Sequence, residues 1–206
     1  MNEAIEGYLS PEEEQTLLQI ARASLHDCVT HERKTDLSPF TLSTALSDNR
    51  GVFVALRCAG HMRGRVGSAT SPLPLAETVR DYTTQAALHD EDYRPIAPNE
   101  VDDIDIELAV LCPNDGAASP FIPVKDIGDI LIGRDGLYLA QTGTQGGALI
   151  LPQVAEAHDW DTERFLRALC RRAGAPPRAW ELPGVGLYRF SAQVFRERHH
   201  SDYPHW

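Results

Sequence analysis

Gly51-Val-Phe-Val-Ala-Leu-Arg-Cys58, then Ala59-Gly60-His61, then Met62-Arg63-Gly64-Arg65-Val66-Gly67 is the stretch from which the fold can be read. Its first segment is short, apolar and rich in β-branched and aromatic residues, which predicts a mostly buried strand. The three residues that follow form a turn, so Met62 to Val66 returns antiparallel as the second arm of a hairpin. On a regular strand Arg63 and Arg65, two apart, project to the same side, and His61 joins them if the extended conformation begins early. Gly64 and Gly67 leave the backbone open to close approach and permit positive φ. Such an arrangement, with Ser68 beside it, suits a carboxylate or phosphate, which guanidinium binds bidentately. The alternative is structural: both arginines pair with the chain's own acids, and the glycines serve tight packing.

Downstream, Pro72 and Pro74 punctuate a loop, and a helix is expected from Leu75 through Val79, Tyr82, Ala86 and Ala87 to His89. Asp90 to Asn99 is turn-rich. Ile104, Ile106, Leu108, Val110 and Cys112 then alternate with Asp105, Glu107, Ala109 and Leu111, the clearest period-two strand in the chain. Shorter strands are expected at Ile130 to Ile132, Leu137 to Ala140 and Gly147 to Leu151, separated by glycine turns. Asp161 caps a helix carrying Phe165, Leu166, Leu169, Cys170 and Ala173, ended by Gly174 and Pro176-Pro177. Val185 to Phe195 is one further strand or a pair, and His199 to Trp206 is a polar, mobile tail. Upstream, Ser10-Pro11-Glu12-Glu13 has the spacing of a capping box with proline at the first helical position. Leu17, Leu18, Ala21, Leu25 and Cys28 extend an amphipathic helix to about residue 30. His31 to Asn49 reads as a connecting loop with a short helical turn. Strands in runs with helices interspersed indicate an α+β fold with a largely antiparallel sheet.

The composition of the 206 residues excludes several classes. An apolar fraction of 42% and a charged fraction of 24% are those of a soluble globular protein. No stretch approaches the roughly 18 apolar residues of a membrane span. The acidic segment Met1 to Ser10 lacks the basic region and apolar core of an export signal. Cys28, Cys58, Cys112 and Cys170 form no CxxC and read as buried thiols of a reducing cytosol. A net charge of −11 repels phosphate backbones, so nucleic-acid binding would need a strong basic patch. The expectation is a cytoplasmic protein that binds neither membrane nor nucleic acid, with no cofactor and no metal.

Other candidate sites carry competing readings. Asp103, Asp105 and Glu107 alternate along the clearest strand, where carboxylates either bind a hard cation, act as acid and base, or form a solvated sheet face. His89-Asp90-Glu91-Asp92 either supplies a base or is a solvated helix end. Thr142-Gly-Thr-Gln-Gly-Gly147 matches neither a Walker A loop nor a GxGxxG fingerprint and reads as a hairpin turn. His199, His200 and His205 resemble a metal tract by composition alone.

The same residues carry a family resemblance. Met62-Arg63-Gly64-Arg65-Val66-Gly67 corresponds to the signature Leu-Arg-Gly-Cys-Ile-Gly of the AMME chromosomal-region protein (AMMECR) family. Ser68, Pro72-Leu-Pro-Leu75, Ala86-Ala87, Asp90, Tyr93, Pro95 and Glu107 follow in family order. So do Gly136-Leu137, Gly147-Ala-Leu-Ile-Leu-Pro-Gln-Val154, Trp160, Phe165-Leu166, Cys170, Ala173-Gly174 and Trp180. From Ser10 to Phe195 the chain therefore resembles this family. The resemblance implies one AMMECR-type domain over residues 10–196 between short tails, in two parts with a cleft between them, the larger part holding both termini. It also implies an association, as in bacterial-type members, with Memo-like and radical-SAM proteins. The family's signature cysteine is Arg65 here, so chemistry by that thiol is closed to this chain. The leading expectation is a cleft near the hexapeptide that binds an anionic small molecule or a carboxylate-bearing group of a partner through Arg63, Gly64, Arg65, Gly67 and Ser68. In an enzyme, Glu107 is the best acid/base candidate. The alternative is a non-catalytic adaptor that recognises a protein segment.

Overall fold

Ser10 and Glu13 build the capping box that their spacing predicts. In the computed structural model, which describes residues 8–114, 119–141 and 147–197, the Ser10 Oγ accepts the Glu13 N–H at 3.3 Å. The Glu13 carboxylate in turn accepts the Ser10 N–H at 2.8 Å. Helix α1 (Pro11–Thr30) follows, its first turn carrying Glu12, Glu13 and Glu14 at the positive end of the dipole. After a four-residue helix α2 (Thr44–Ser47) the chain forms β1 (Val52–Cys58) and β2 (His61–Ser68). Ala59 and Gly60 both have positive φ, 47° and 78°. That is the two-residue turn whose twist matches paired strands. Helix α3 (Leu75–Leu88), a 3-10 turn (Pro98–Asp103) and β3 (Ile104–Leu111) complete this stretch.

The chain divides into two compact units. One comprises the chain up to Val110 and again from Gln193, the other Leu111–Ala192. In the first, an antiparallel sheet runs in the order β2-β1-β3-β8, with β8 at Ala192–Arg196. Leu17, Ile20, Ala21 and Leu25 of α1 and Leu75, Ala76, Val79, Ala86 and Ala87 of α3 pack with Val52, Val54, Leu56, Ile104, Ile106, Leu108 and Val110 in one core. Alternation therefore leaves Phe53, Ala55, Asp105 and Glu107 on the opposite face of the sheet.

In the second unit, β4 (Ile122–Pro123), β5 (Gly136–Gln141), β6 (Gly147–Ile150) and β7 (Val185–Phe190) form a sheet in the order β4-β7-β5-β6. Helices α4 (Pro152–Ala157) and α5 (Thr162–Arg172) belong to this unit. Phe165, Leu166, Leu169 and Cys170 of α5 share its core with Leu137, Leu139, Ala148 and Ile150. Asp161 caps α5 by accepting the Arg164 N–H at 2.7 Å. Phe121 stacks on Tyr138 with ring centroids 4.6 Å apart.

One expectation needs revision, one is narrowed to one of its alternatives, and two fall outside the described residues. Ile130–Ile132 is not a strand. Asp126 caps a 3-10 turn there by accepting the Gly128 N–H, and the buried Asp135 carboxylate accepts the Leu131 N–H at 2.9 Å, so the backbone turns instead of extending. The apolar isoleucines mimic a strand pattern, but these local acceptors decide the backbone. Val185–Phe195 is a pair of strands, and its members belong to different sheets. The glycine-rich connection at 142–146 and the tail from residue 198 lie outside the described residues. Among the described residues, no helix is long and apolar enough to cross a membrane.

Candidate functional site

The hexapeptide occupies most of β2, and its two sides do different work. Register decides which residue goes where. Val52 opposes Ser68, Phe53 Gly67, Val54 Val66, Ala55 Arg65 and Leu56 Gly64, after which the register shifts and Arg57 opposes Met62. Arg63 is therefore the extra residue of a β-bulge. Strict alternation does not carry across it, so the spacing of two does not place Arg63 and Arg65 in equivalent positions.

Arg63 is turned onto the segment after α3. Its Nη2 donates to both oxygens of Glu100 at 3.0 Å, and the two side chains are 14% and 18% exposed. Glu100 also accepts the Ala97 N–H at 2.9 Å and a bond from Arg94 at 3.0 Å. Donation by the Ala97 N–H, and then by Arg63 and Arg94 against the cost of desolvation, holds the Glu100 carboxyl below its ordinary value of 4.5. Gly64 lies beside it on the helix side. A Cβ at this position would sit 2.0 Å from the Ala86 carbonyl oxygen of α3, so only glycine allows the strand to approach the helix. Ser68 shares the side of the buried Val52 and accepts the Thr70 N–H, a turn contact.

Arg65 belongs to the opposite face. Ala55 lies directly across from it, and Glu107 of β3 lies directly across from Ala55. The row Arg65–Ala55–Glu107 thus has a methyl group between a cation and an anion, two strand spacings apart, roughly 10 Å. Arg196 of β8 closes its far end with an ion pair of 2.8 Å to Glu107, whose side chain is 13% exposed. In the neighbouring row, Gly67 opposes Phe53, and a Cβ on Gly67 would meet the Phe53 ring at 2.1 Å. The aromatic ring lies against bare backbone, giving this face an apolar wall.

The acidic segment at the end of α3 borders Arg65. Asp90 accepts the Arg65 backbone N–H at 2.6 Å, and Asp92 pairs with its guanidinium at 3.2 Å. Both partners of the latter pair are well exposed, 50% and 66%. Such a pair contributes about 0–1 kcal/mol and is readily exchanged.

Of the residues expected to bind a ligand, Arg65 and Gly67 share one face with the acid/base candidate Glu107; Arg63, Gly64 and Ser68 do not. Asp103 ends the 3-10 turn ahead of β3, so the three carboxylates Asp103, Asp105 and Glu107 do not form one strand row. Cys58, the nearest thiol in sequence, opposes His61 at the hairpin end and packs against the helix-side core. It does not replace the signature cysteine. Glu100 and Arg196 escape sequence reading, although Glu100 had a local signal, standing three residues after Ala97 with Pro98 between, as in a helix start; the segment His89-Asp90-Glu91-Asp92, read as a base or a solvated helix end, supplies Asp90 and Asp92 as partners of Arg65.

The chain that carries this geometry belongs to a known family. The sequence profile of the AMMECR1 family matches residues 18–195, and the chain is a member of that family. Over 193 residues it is 36% identical to a protein of Methanothermobacter thermautotrophicus, covering 92% of this chain and 96% of the relative. A protein of Thermococcus kodakarensis is 35% identical over 91% of this chain and 90% of its own length. The crystal structure of an uncharacterized protein from Pyrococcus horikoshii matches with a TM-score of 0.78 and 27% identity, over 89% of this chain and 90% of that one.

Proposed function

We propose that the sheet face carrying Arg65, Ala55, Gly67 and Glu107 is an anion-recognition site, with Arg65 as its primary cation. The observation that carries this reading is the contrast in commitment between the two arginines. Arg63 is tied through Nη2 to both oxygens of a largely buried acid, whereas Arg65 is half exposed and held by an exchangeable surface pair. An incoming carboxylate or phosphate displaces Asp92 and takes the same guanidinium edge. Ala55 contributes only a methyl group between Arg65 and Glu107, the Phe53 ring supplies an apolar wall, and Glu107 offers an acceptor for a donor group on the ligand. A small anionic molecule with a second, donating group fits this row. So does a carboxylate-bearing segment of a partner.

The association with Memo-like and radical-SAM proteins implied by the family resemblance is part of the proposal, such a protein being the partner class considered. If the site is catalytic, Glu107 is its acid/base group, positioned by Arg196.

The test is calorimetric titration with inorganic phosphate and with a dicarboxylate series, on the parent chain and on Arg65→Ala and Arg63→Lys. The expected result is at least about tenfold weaker binding for Arg65→Ala, the loss of one charge-assisted contact, with Arg63→Lys close to the parent. Equal affinity in the parent and Arg65→Ala would overturn the assignment.

A further inference from the structure

A second constellation, remote in sequence from the hexapeptide, stands where α1 ends. We propose that His26, Asp27 and His31 bind a divalent cation of the imidazole-preferring class, zinc foremost. Their ligand atoms all lie within 4.8 Å of one another. The helix end produces this proximity. His31 is the C-cap, and its N–H donates to the Asp27 carbonyl at 3.1 Å. That bond folds the chain back over the last turn, and the His26 and His31 rings meet edge to face with centroids 5.1 Å apart.

Asp27 is already oriented. Its Oδ1 accepts Nε and Nη2 of Arg33 at 3.0 and 2.8 Å, and its Oδ2 accepts the Thr35 hydroxyl at 3.0 Å. A carboxylate offers about four lone-pair sites, so these bonds leave acceptor capacity for a metal. Arg33, 66% exposed, is the positive charge paired with Asp27, and Arg22 and Lys34 also line the groove that His26 and Asp27 border. The last turn of α1 carries no basic residue, so its carbonyl end favours a positive charge.

Tetrahedral ligands about 2.0 Å from zinc stand about 3.3 Å apart. Rotation of the two exposed imidazoles closes the remaining distance. Two nitrogens and one oxygen select zinc, copper or nickel over magnesium or calcium and leave a fourth position open. His26 and Asp27 also line a groove of about 780 Å³ with Gln15, Gln19, Arg22 and Phe40, so a ligand in that groove has access to the metal.

The experiment uses the full chain without an affinity tag, with His199, His200 and His205 changed to Asn to remove competing imidazoles. Zinc is titrated calorimetrically in excess magnesium. The expected result is one zinc per chain, weakened about tenfold or more in both His26→Asn and His31→Asn, with the metal-free thermal midpoints unchanged. Zinc should also raise the parent's midpoint and raise that of the variants less. Absence of binding, affinity equal in parent and variants, or displacement by magnesium would overturn the proposal.

Discussion

The two sides of β2 solve opposite problems within six residues. On the helix side, Gly64 is pressed against the Ala86 carbonyl and the bulged Arg63 is locked to Glu100, so chemistry there is spent on packing. On the other side, Arg65 lies across from Ala55 with a solvent-exposed partner, in a row that ends in Glu107 and Arg196. The difference teaches that a signature motif need not be a single site. One half holds the strand to its helix and the other half is presented.

The comparison breaks most easily at Gly64. Gly64→Val forces β2 away from α3 and should cost about 3 kcal/mol or more, seen as a collapse of the thermal midpoint or loss of soluble protein. A midpoint near the parent's would mean that the helix side is not tightly packed. Arg63→Ala comes next. It leaves Glu100 short of the guanidinium that bonds both its oxygens and should cost about 2 kcal/mol in denaturant unfolding, with anion binding retained in the folded fraction.

Acid sensitivity sharpens the same point. The folded pKa of Glu100 is lowered, so its contribution to stability is complete above the ordinary 4.5 and is lost as pH falls through the lower folded value. Glu100→Gln should therefore be less stable than the parent near neutrality, with the gap narrowing below pH 4.5 in pH-resolved unfolding. Arg65→Ala has the smallest expected effect on folding, within about 0.5 kcal/mol, because its partner is exposed.

Much of the fold is legible in the sequence because it is local. The capping box at Ser10 and Glu13, the Ala59-Gly60 turn, the alternation through Ile104 to Leu111 and the cap at Asp161 are each decided by residues within one turn or one strand. Ile130–Ile132 misleads because side-chain acceptors at Asp126 and Asp135 outbid an apolar pattern of only three residues. The candidate site is half legible for a different reason. Two arginines at a spacing of two imply one face, but the bulge at Arg63 is set by pairing with β1 and by Glu100, 37 residues away. No local signal encodes that register. Glu107 and Arg65 share a face only through Ala55, a residue with no chemistry of its own to attract notice.

Arg65, and not Arg63, is the cation proposed to meet an anion. Two-dimensional NMR of the arginine Nε–Hε groups during a phosphate titration reads both side chains in one sample. The account predicts a saturable shift of the Arg65 signal, accompanied by Arg196, while Arg63 stays where Glu100 holds it. A saturable shift confined to Arg63, or no movement at Arg65, would contradict it.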